Sequence, residues 1–194
     1  MNSNELKTRD QIDKKYKWNI EAMISDDSAV DGDLDRIAER AEEYNRTYSG
    51  KLAESAAGLL KAHKDRDAIW MDLERIFVYA RMRRDENNAD SKYQAMTSRC
   101  GAVIAKVSAA MAFFTPELLA SPEETILGYI DQEPGLKEYE FAIRDTLRQK
   151  AHVLSEAEEN ILAQMSEVTG ATNDIFTMLN NADIKFGTVT GEDG

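Results

Sequence analysis

Few residues in this sequence are of a type and spacing that could do chemistry. There are two histidines, His63 and His152, and they stand far apart. No HExxH, HxxE or CxxC pattern brings a second ligand near either, so no zinc site can be assembled from recognisable spacing. His152 follows Arg148 and Lys150 at the end of a predicted helix, where a cation at the negative helix C-terminus accounts for the position. Asp31, Asp33, Asp35 and Glu42 mimic the ligand spacing of a calcium loop. Arg36 stands where the sharp turn of such a loop needs glycine, and helical periodicity has already begun there; the acids read as residues near a helix N-terminus. The run Asp85-Glu86-Asn87-Asn88-Ala89-Asp90 reads as a solvated turn that would hold a cation weakly. Cys100 falls on the apolar stripe of a predicted helix, where a small buried hydrophobe is expected. A thiol nucleophile would need exposure and a nearby base, and the sequence offers neither. A glycine-rich phosphate loop and a GxSxG elbow are also missing. No catalytic, cofactor-binding or metal-binding residue is assigned to any position.

The elements that would carry these residues are helices. A chain of 194 residues suits one helical domain and can remove roughly 70% of its unfolded surface from water. With 42% hydrophobic and 31% charged residues it has the balance of a globular protein. Only 3 prolines and 10 glycines interrupt it, and strong helix formers dominate. The formal net charge of −12 argues against a nucleic-acid partner, because phosphate binding needs concentrated Lys and Arg. Basic residues are instead interleaved with acidic ones, as in Arg81-Met82-Arg83-Arg84-Asp85-Glu86. The single cysteine requires no oxidising compartment, and the start of the sequence carries no apolar signal segment. The longest apolar stretch, Gly101 to Phe114, contains Lys106 and Ser108 and is too short to span a bilayer. No membrane partner and a cytoplasmic location are expected.

Along the chain, residues 1–27 form a polar leader whose one knot, Tyr16-Lys17-Trp18-Asn19-Ile20, is expected to pin it to the body through Tyr16 and Trp18. Residues 28–182 read as a helical lobe of antiparallel, bundle-like packing. Leu34, Ile37, Ala38, Ala41, Tyr44 and Tyr48 repeat at helical spacing before a stop at Gly50. A second helix is predicted from about Asp67, with Ile69, Leu73, Ile76, Phe77 and Ala80 on one face. A third follows a cap at Asp90 or Ser91 and carries Tyr93, Met96, Cys100, Val103, Val107, Ala110 and Phe114, steps that suit near-antiparallel packing. Thr115-Pro116-Glu117 and Ser121-Pro122-Glu123-Glu124 each read as a capping hydroxyl before a proline at the first helical position. Gly135 opens a helix with Leu136, Tyr139, Ile143 and Leu147. Ser155-Glu156-Ala157-Glu158 caps another, which stops at Gly170, and a last helix covers about Asn173 to Leu179. Over 183–194 the period changes to alternation at Ile184 and Phe186, the start of a strand or hairpin. A lone strand needs a partner, so a continuation into a further domain is expected.

Four segments carry a family resemblance. Tyr16-Lys17-Trp18-Asn19-Ile20 resembles a short aromatic segment near the start of the oligoendopeptidase F family. Phe113-Phe114-Thr115-Pro116-Glu117-Leu118-Leu119 resembles its Phe-x-Pro-Glu-Leu helix junction. Arg148-Gln149-Lys150-Ala151-His152-Val153-Leu154-Ser155-Glu156-Ala157-Glu158-Glu159 is similar to its basic-His-x-Leu-Ser-x-x-Glu-Glu turn, and Leu179-Asn180-Asn181-Ala182-Asp183-Ile184-Lys185-Phe186 to the lead into its first strand. The resemblance implies a noncatalytic N-terminal lobe of a zinc peptidase acting on oligopeptides. Zinc, held by an HExxH helix and a later Glu, would belong to a catalytic domain in cis that these residues lack. The lobe would form one wall of a deep cleft, admitting flexible peptides and excluding folded proteins. Two other readings stand beside it: a stand-alone helical interaction or scaffold protein, and a cation-dependent module using the acidic loops. Without its catalytic domain the lobe is expected to self-associate through exposed apolar surface.

Overall fold

A computed structural model describes residues 9–87 and 90–152, together with Met165, Ala171, Thr172, Ile175, Phe176, Leu179, Asn180, Ile184 and Gly187. The chain divides into two units, Met1–Arg148 and Gln149–Gly194, so the boundary falls inside the stretch 28–182 read as one lobe. The regular elements among the described residues are all helical, with no strand.

The first unit is built on three long helices. Helix α1, Val30–Tyr48, buries Val30, Leu34, Ile37, Ala41, Tyr44 and Tyr48, the face that the 3–4 spacing predicts. It ends just before Gly50, whose φ of +77° places it in the left-handed region where glycine costs least. Helix α2, Ala56–Glu86, is 31 residues long and begins well before the Asp67 start expected. Ser55 Oγ accepts from the backbone N–H of Gly58 at 3.1 Å, a side-chain cap that the sequence reading missed. The extra turns bury Ala56, Leu59, Ala62 and His63, a face of mostly small or polar residues with little hydrophobic contrast. Helix α3, Ser91–Met111, starts where expected, with Asp90 accepting from Lys92 N at 2.9 Å. Its buried stripe is Met96, Cys100, Val103, Val107 and Met111. Among the described residues, Ser91–Ala120 is the one stretch long and apolar enough by composition to cross a membrane. Its apolar stripe is used in the core, where all three long helices pack against one another. Asn45 of α1 also donates to the carbonyl of Ala110 at 2.7 Å.

Shorter elements cover the N-terminal half of α2. They are α4, Phe114–Ala120, α5, Glu123–Gln132, a 3-10 turn at Pro134–Tyr139, and α6, Glu140–Arg148. The two hydroxyl caps expected before them are absent. Glu117 N already bonds the carbonyl of Phe113 at 3.0 Å, so α4 begins before Thr115. Ser121 Oγ donates to the carbonyl of Glu117 at 2.9 Å, closing α4 rather than opening α5. Leu136, Ile143 and Leu147 are buried as expected, and Tyr129 OH donates to the carbonyl of Ala53 at 2.9 Å.

The leader differs from its expected anchoring. Tyr16 and Trp18 are 73% and 79% exposed, whereas Ile20 is 2% exposed and belongs to the core. An apolar side chain without a polar tip can be buried outright, and Ile20 is the pin. Polar contacts complete the attachment. Arg75 donates to the carbonyl of Met23 at 2.6 Å, and Arg83 to Glu21 at 2.9 Å. Arg9 pairs with Glu86.

In the second unit, Gln149–His152 forms a 3-10 turn, and Met165, Ala171, Thr172, Ile175 and Phe176 are helical. The expected capping box at 155–158 lies outside the described residues. So does most of the strand expected over 183–194. Of that segment Ile184 and Gly187 are described, and neither is in a strand. Ile184 N–H donates to the carbonyl of Leu179 at 2.8 Å, a bond within its own segment and not across to a second strand.

Candidate functional site

His63 lies on α2 at 2% exposure. Its ring stacks on Tyr139 at 4.4 Å and meets Phe114 edge-on at 4.9 Å. Arg66, one turn on, faces Nδ1 at 3.5 Å and lies over the Phe114 ring at 4.3 Å. An arginine can only donate, so Nδ1 is the acceptor and the proton sits on Nε2. Nε2 has no hydrogen-bond partner among the described residues. Burial, with the Arg66 charge second, pushes the imidazole down to about 4. Burial and a hydrogen bond to Asp67 push the Tyr139 phenol up to about 12. This neutral, aromatic-clamped histidine joins α2, α4 and the Pro134–Tyr139 turn. The cation of Arg66, set both over Phe114 and against Nδ1, is the opposite of a ligand cage for zinc. Among the described residues no group of three His, Cys, Asp or Glu side chains could hold a metal.

The other candidates resolve into helix surface. Asp31 and Asp35 face Arg99 of α3 at 2.5 and 3.8 Å, Asp33 pairs with Arg36, and Glu42 lies 3.9 Å from Arg46. These acids stand on α1 itself, so they do not converge as a calcium loop would. At the 85–90 turn, Glu86 is held by Arg9 and Arg83 and Asp90 caps α3. Cys100 is 0% exposed and unpaired, and burial pushes its thiol up, away from the nucleophilic thiolate.

Concave surface lies around the leader and between α1 and α2. A groove of about 540 Å³ runs between the leader, α1 and α2, lined by Met23, Ile24, Arg36, Arg40, Asp72 and Arg75 among others. Arg40 bonds Asp72 at 2.5 Å across it. A second, of about 590 Å³, lies beside Trp18, with Arg9, Lys14, Lys17, Arg83 and Glu86 on its walls. A third, of about 280 Å³, sits between α1 and α2. There Tyr48 OH donates to Asp65 at 2.5 Å and accepts from Lys61 at 2.9 Å. Sequence reasoning singled out Tyr16 and Trp18 in this region. It missed Arg75 and Arg83, which carry no motif and matter only because α2 sets them opposite the leader.

The described residues of the first unit form a helical lobe whose singled-out acids are paired or capping. Its class comes from comparison with known proteins. The family model described as Oligopeptidase F matches residues 117–186. Oligopeptidase PepF of Bacillus subtilis is 34% identical over 99% of this chain, which covers 28% of that protein. Group B oligopeptidase PepB of Streptococcus agalactiae is 31% identical over 96% of the chain and 31% of its own length. The crystal structure of oligoendopeptidase-F from Enterococcus faecium superposes with a TM-score of 0.68 at 33% identity, over 87% of this chain and 32% of that one. The chain belongs to the oligopeptidase F family and corresponds to an N-terminal portion of it. It spans 28% to 32% of the length of the curated relatives it matches.

Proposed function

We propose that this chain is the noncatalytic N-terminal helical lobe of a zinc-dependent oligoendopeptidase, and that it forms one wall of the cleft that receives short peptides. The observation that carries the reading is the near-complete match of the chain to about a third of each oligopeptidase relative. The donors among the described residues do not fit zinc: His63 is clamped between rings beside Arg66, and Cys100 is buried without a second ligand. In this reading the metal that the family implies is held by residues other than the described ones, and no hydrolytic step is assigned to any of their side chains. A mutually packed three-helix core suits a wall, because a cleft excludes folded substrates only if its sides keep their spacing. The reading includes oligopeptide substrates and a cytoplasmic location for the parent protein, consistent with the single reduced Cys100.

The test is an assay of the 194-residue chain beside the longer polypeptide that contains it, on internally quenched oligopeptides with and without a chelator. The longer polypeptide is expected to cleave them in a chelator-sensitive way, and the chain alone to leave them intact. Metal-dependent cleavage by the chain alone would overturn the reading. So would a longer polypeptide that binds no zinc.

A further inference from the structure

The leader holds two aromatic side chains in solvent although its own backbone is fixed. Asp13 caps the turn before Tyr16 by accepting from Lys15 N at 3.0 Å. Ile20, Arg75 and Arg83 then fasten the segment that follows to the body. An ordered segment that exposes Tyr16 at 73% and Trp18 at 79% is pre-organised for contact, since the ordering cost of docking has already been met. Tryptophan and tyrosine are also the residues that most often anchor buried interfaces.

Charge narrows the partner. The chain carries a net charge of −12, yet the surface beside Trp18 is cationic. Glu21 and Glu86 are engaged by Arg83 and Arg9, whereas Lys14 and Lys17 have no carboxylate partner among the described residues. The groove of about 590 Å³ at Trp18 opens between them. A second copy meeting this patch about a two-fold axis would set Lys14 and Lys17 against their own counterparts. An acidic, apolar surface meets no such repulsion. The relatives supply one candidate for it, because this chain covers only 28% to 32% of their length.

We propose that Tyr16, Trp18, Lys14 and Lys17 form the seat for an acidic, apolar surface of the remainder of the oligopeptidase polypeptide, docking in cis. The proposal rests on the reading of the chain as one lobe of a longer peptidase. Hydroxyl-radical footprinting of the chain and of the longer polypeptide tests it, with Tyr44 as the buried reference. Labelling of Tyr16 and Trp18 is expected to be strong in the chain alone and to fall to the Tyr44 level in the longer polypeptide. Equal labelling in both would overturn the seat. The double variant Lys14→Glu, Lys17→Glu in the longer polypeptide is expected to restore labelling, and protection that survives it would overturn an acidic occupant. A dimer of the longer polypeptide that Trp18→Ala dissociates would assign the patch to a second copy and sink the proposal. Peptide cleavage, measured on the same samples, separates the two readings. Activity with Trp18 unprotected removes only the seat, whereas protection without activity removes only the zinc peptidase.

Discussion

Glu117 Oε1 accepts the backbone N–H of Gly50 at 2.6 Å, and its other oxygen reaches the N–H of Leu52 at 3.4 Å. A carboxylate on α4 thereby closes the loop that joins α1 to α2. Those two N–H groups belong to the tight connection after Tyr48, where the N–H of Lys51, between them, donates to the carbonyl of Tyr48 at 2.9 Å and Glu117 supplies the acceptors on either side.

Glu117→Ala is expected to lower the unfolding free energy by about 1–2 kcal/mol, since hydrogen bonds to a charged acceptor exceed neutral ones. Glu117→Gln keeps one acceptor and should cost less. Urea unfolding of the two variants checks the order, and equal losses would show that packing rather than acceptance matters at this position.

Two glycines should respond in opposite directions. Gly50 has a φ of +77°, and Gly101, on α3, has open space where a Cβ would stand, with no neighbouring atom within 4 Å of it. Gly50→Ala is expected to destabilise by about 1–2 kcal/mol through left-handed strain. Gly101→Ala should stabilise by roughly 0.5–1 kcal/mol, because alanine loses less entropy in a helix. Thermal melts of both variants, with the parent chain alongside, give the test.

The pH dependence of stability should carry the mark of His63. The folded imidazole is held at about 4 against 6.5 unfolded. Between those values the unfolded chain takes up a proton that the folded chain refuses. Stability is therefore full above about 6.5 and falls as pH drops toward 4, by at most about 3 kcal/mol. Below that, the lowered carboxyl of Asp27, hydrogen-bonded to Lys92, adds its own loss as it protonates. In His63→Gln the slope between pH 6.5 and 4 should flatten, whatever the variant's absolute stability. An unchanged slope would mean that His63 is not the group responsible.

Ile20 and Trp18 stand two residues apart and should behave differently. Ile20→Ala is expected to cost about 2–4 kcal/mol, as for other buried aliphatic truncations. Trp18→Ala in the 194-residue chain should stay within about 0.5 kcal/mol. Chemical denaturation resolves the two, and comparable losses would mean that the indole is packed in solution.

Much of this fold was legible because its helices repeat apolar residues at steps of three and four. Leu34, Ile37, Ala41 and Tyr44 mark one face of α1, and Met96, Cys100, Val103 and Val107 mark one face of α3. The first eleven residues of α2 escaped because Ala56, Ala62 and His63 supply burial without hydrophobic contrast. Thr115 and Ser121 misled because a hydroxyl before proline fits a cap locally, while the preceding turn at Phe113 had already set the helix. Trp18 was rightly singled out, but it is exposed rather than packed against the body. Periodicity reports which residues prefer to leave water, and it is silent on whether the surface that receives them lies within the same lobe. The leader grooves were illegible for a related reason, since Arg75 and Arg83 acquire their role only through the distant leader residues they hold.

The solitary thiol of Cys100, sealed at the seam where α3 meets its neighbours, gives the molecule an internal clock. A disulfide reagent can reach it only while that seam is parted, so the rate of a single chemical event reads how often the native core opens. If labelling slows in step with global stability as denaturant is withdrawn, the three long helices open as one cooperative body. If it levels off early, α3 breathes by itself, and the three-helix core is compliant rather than rigid.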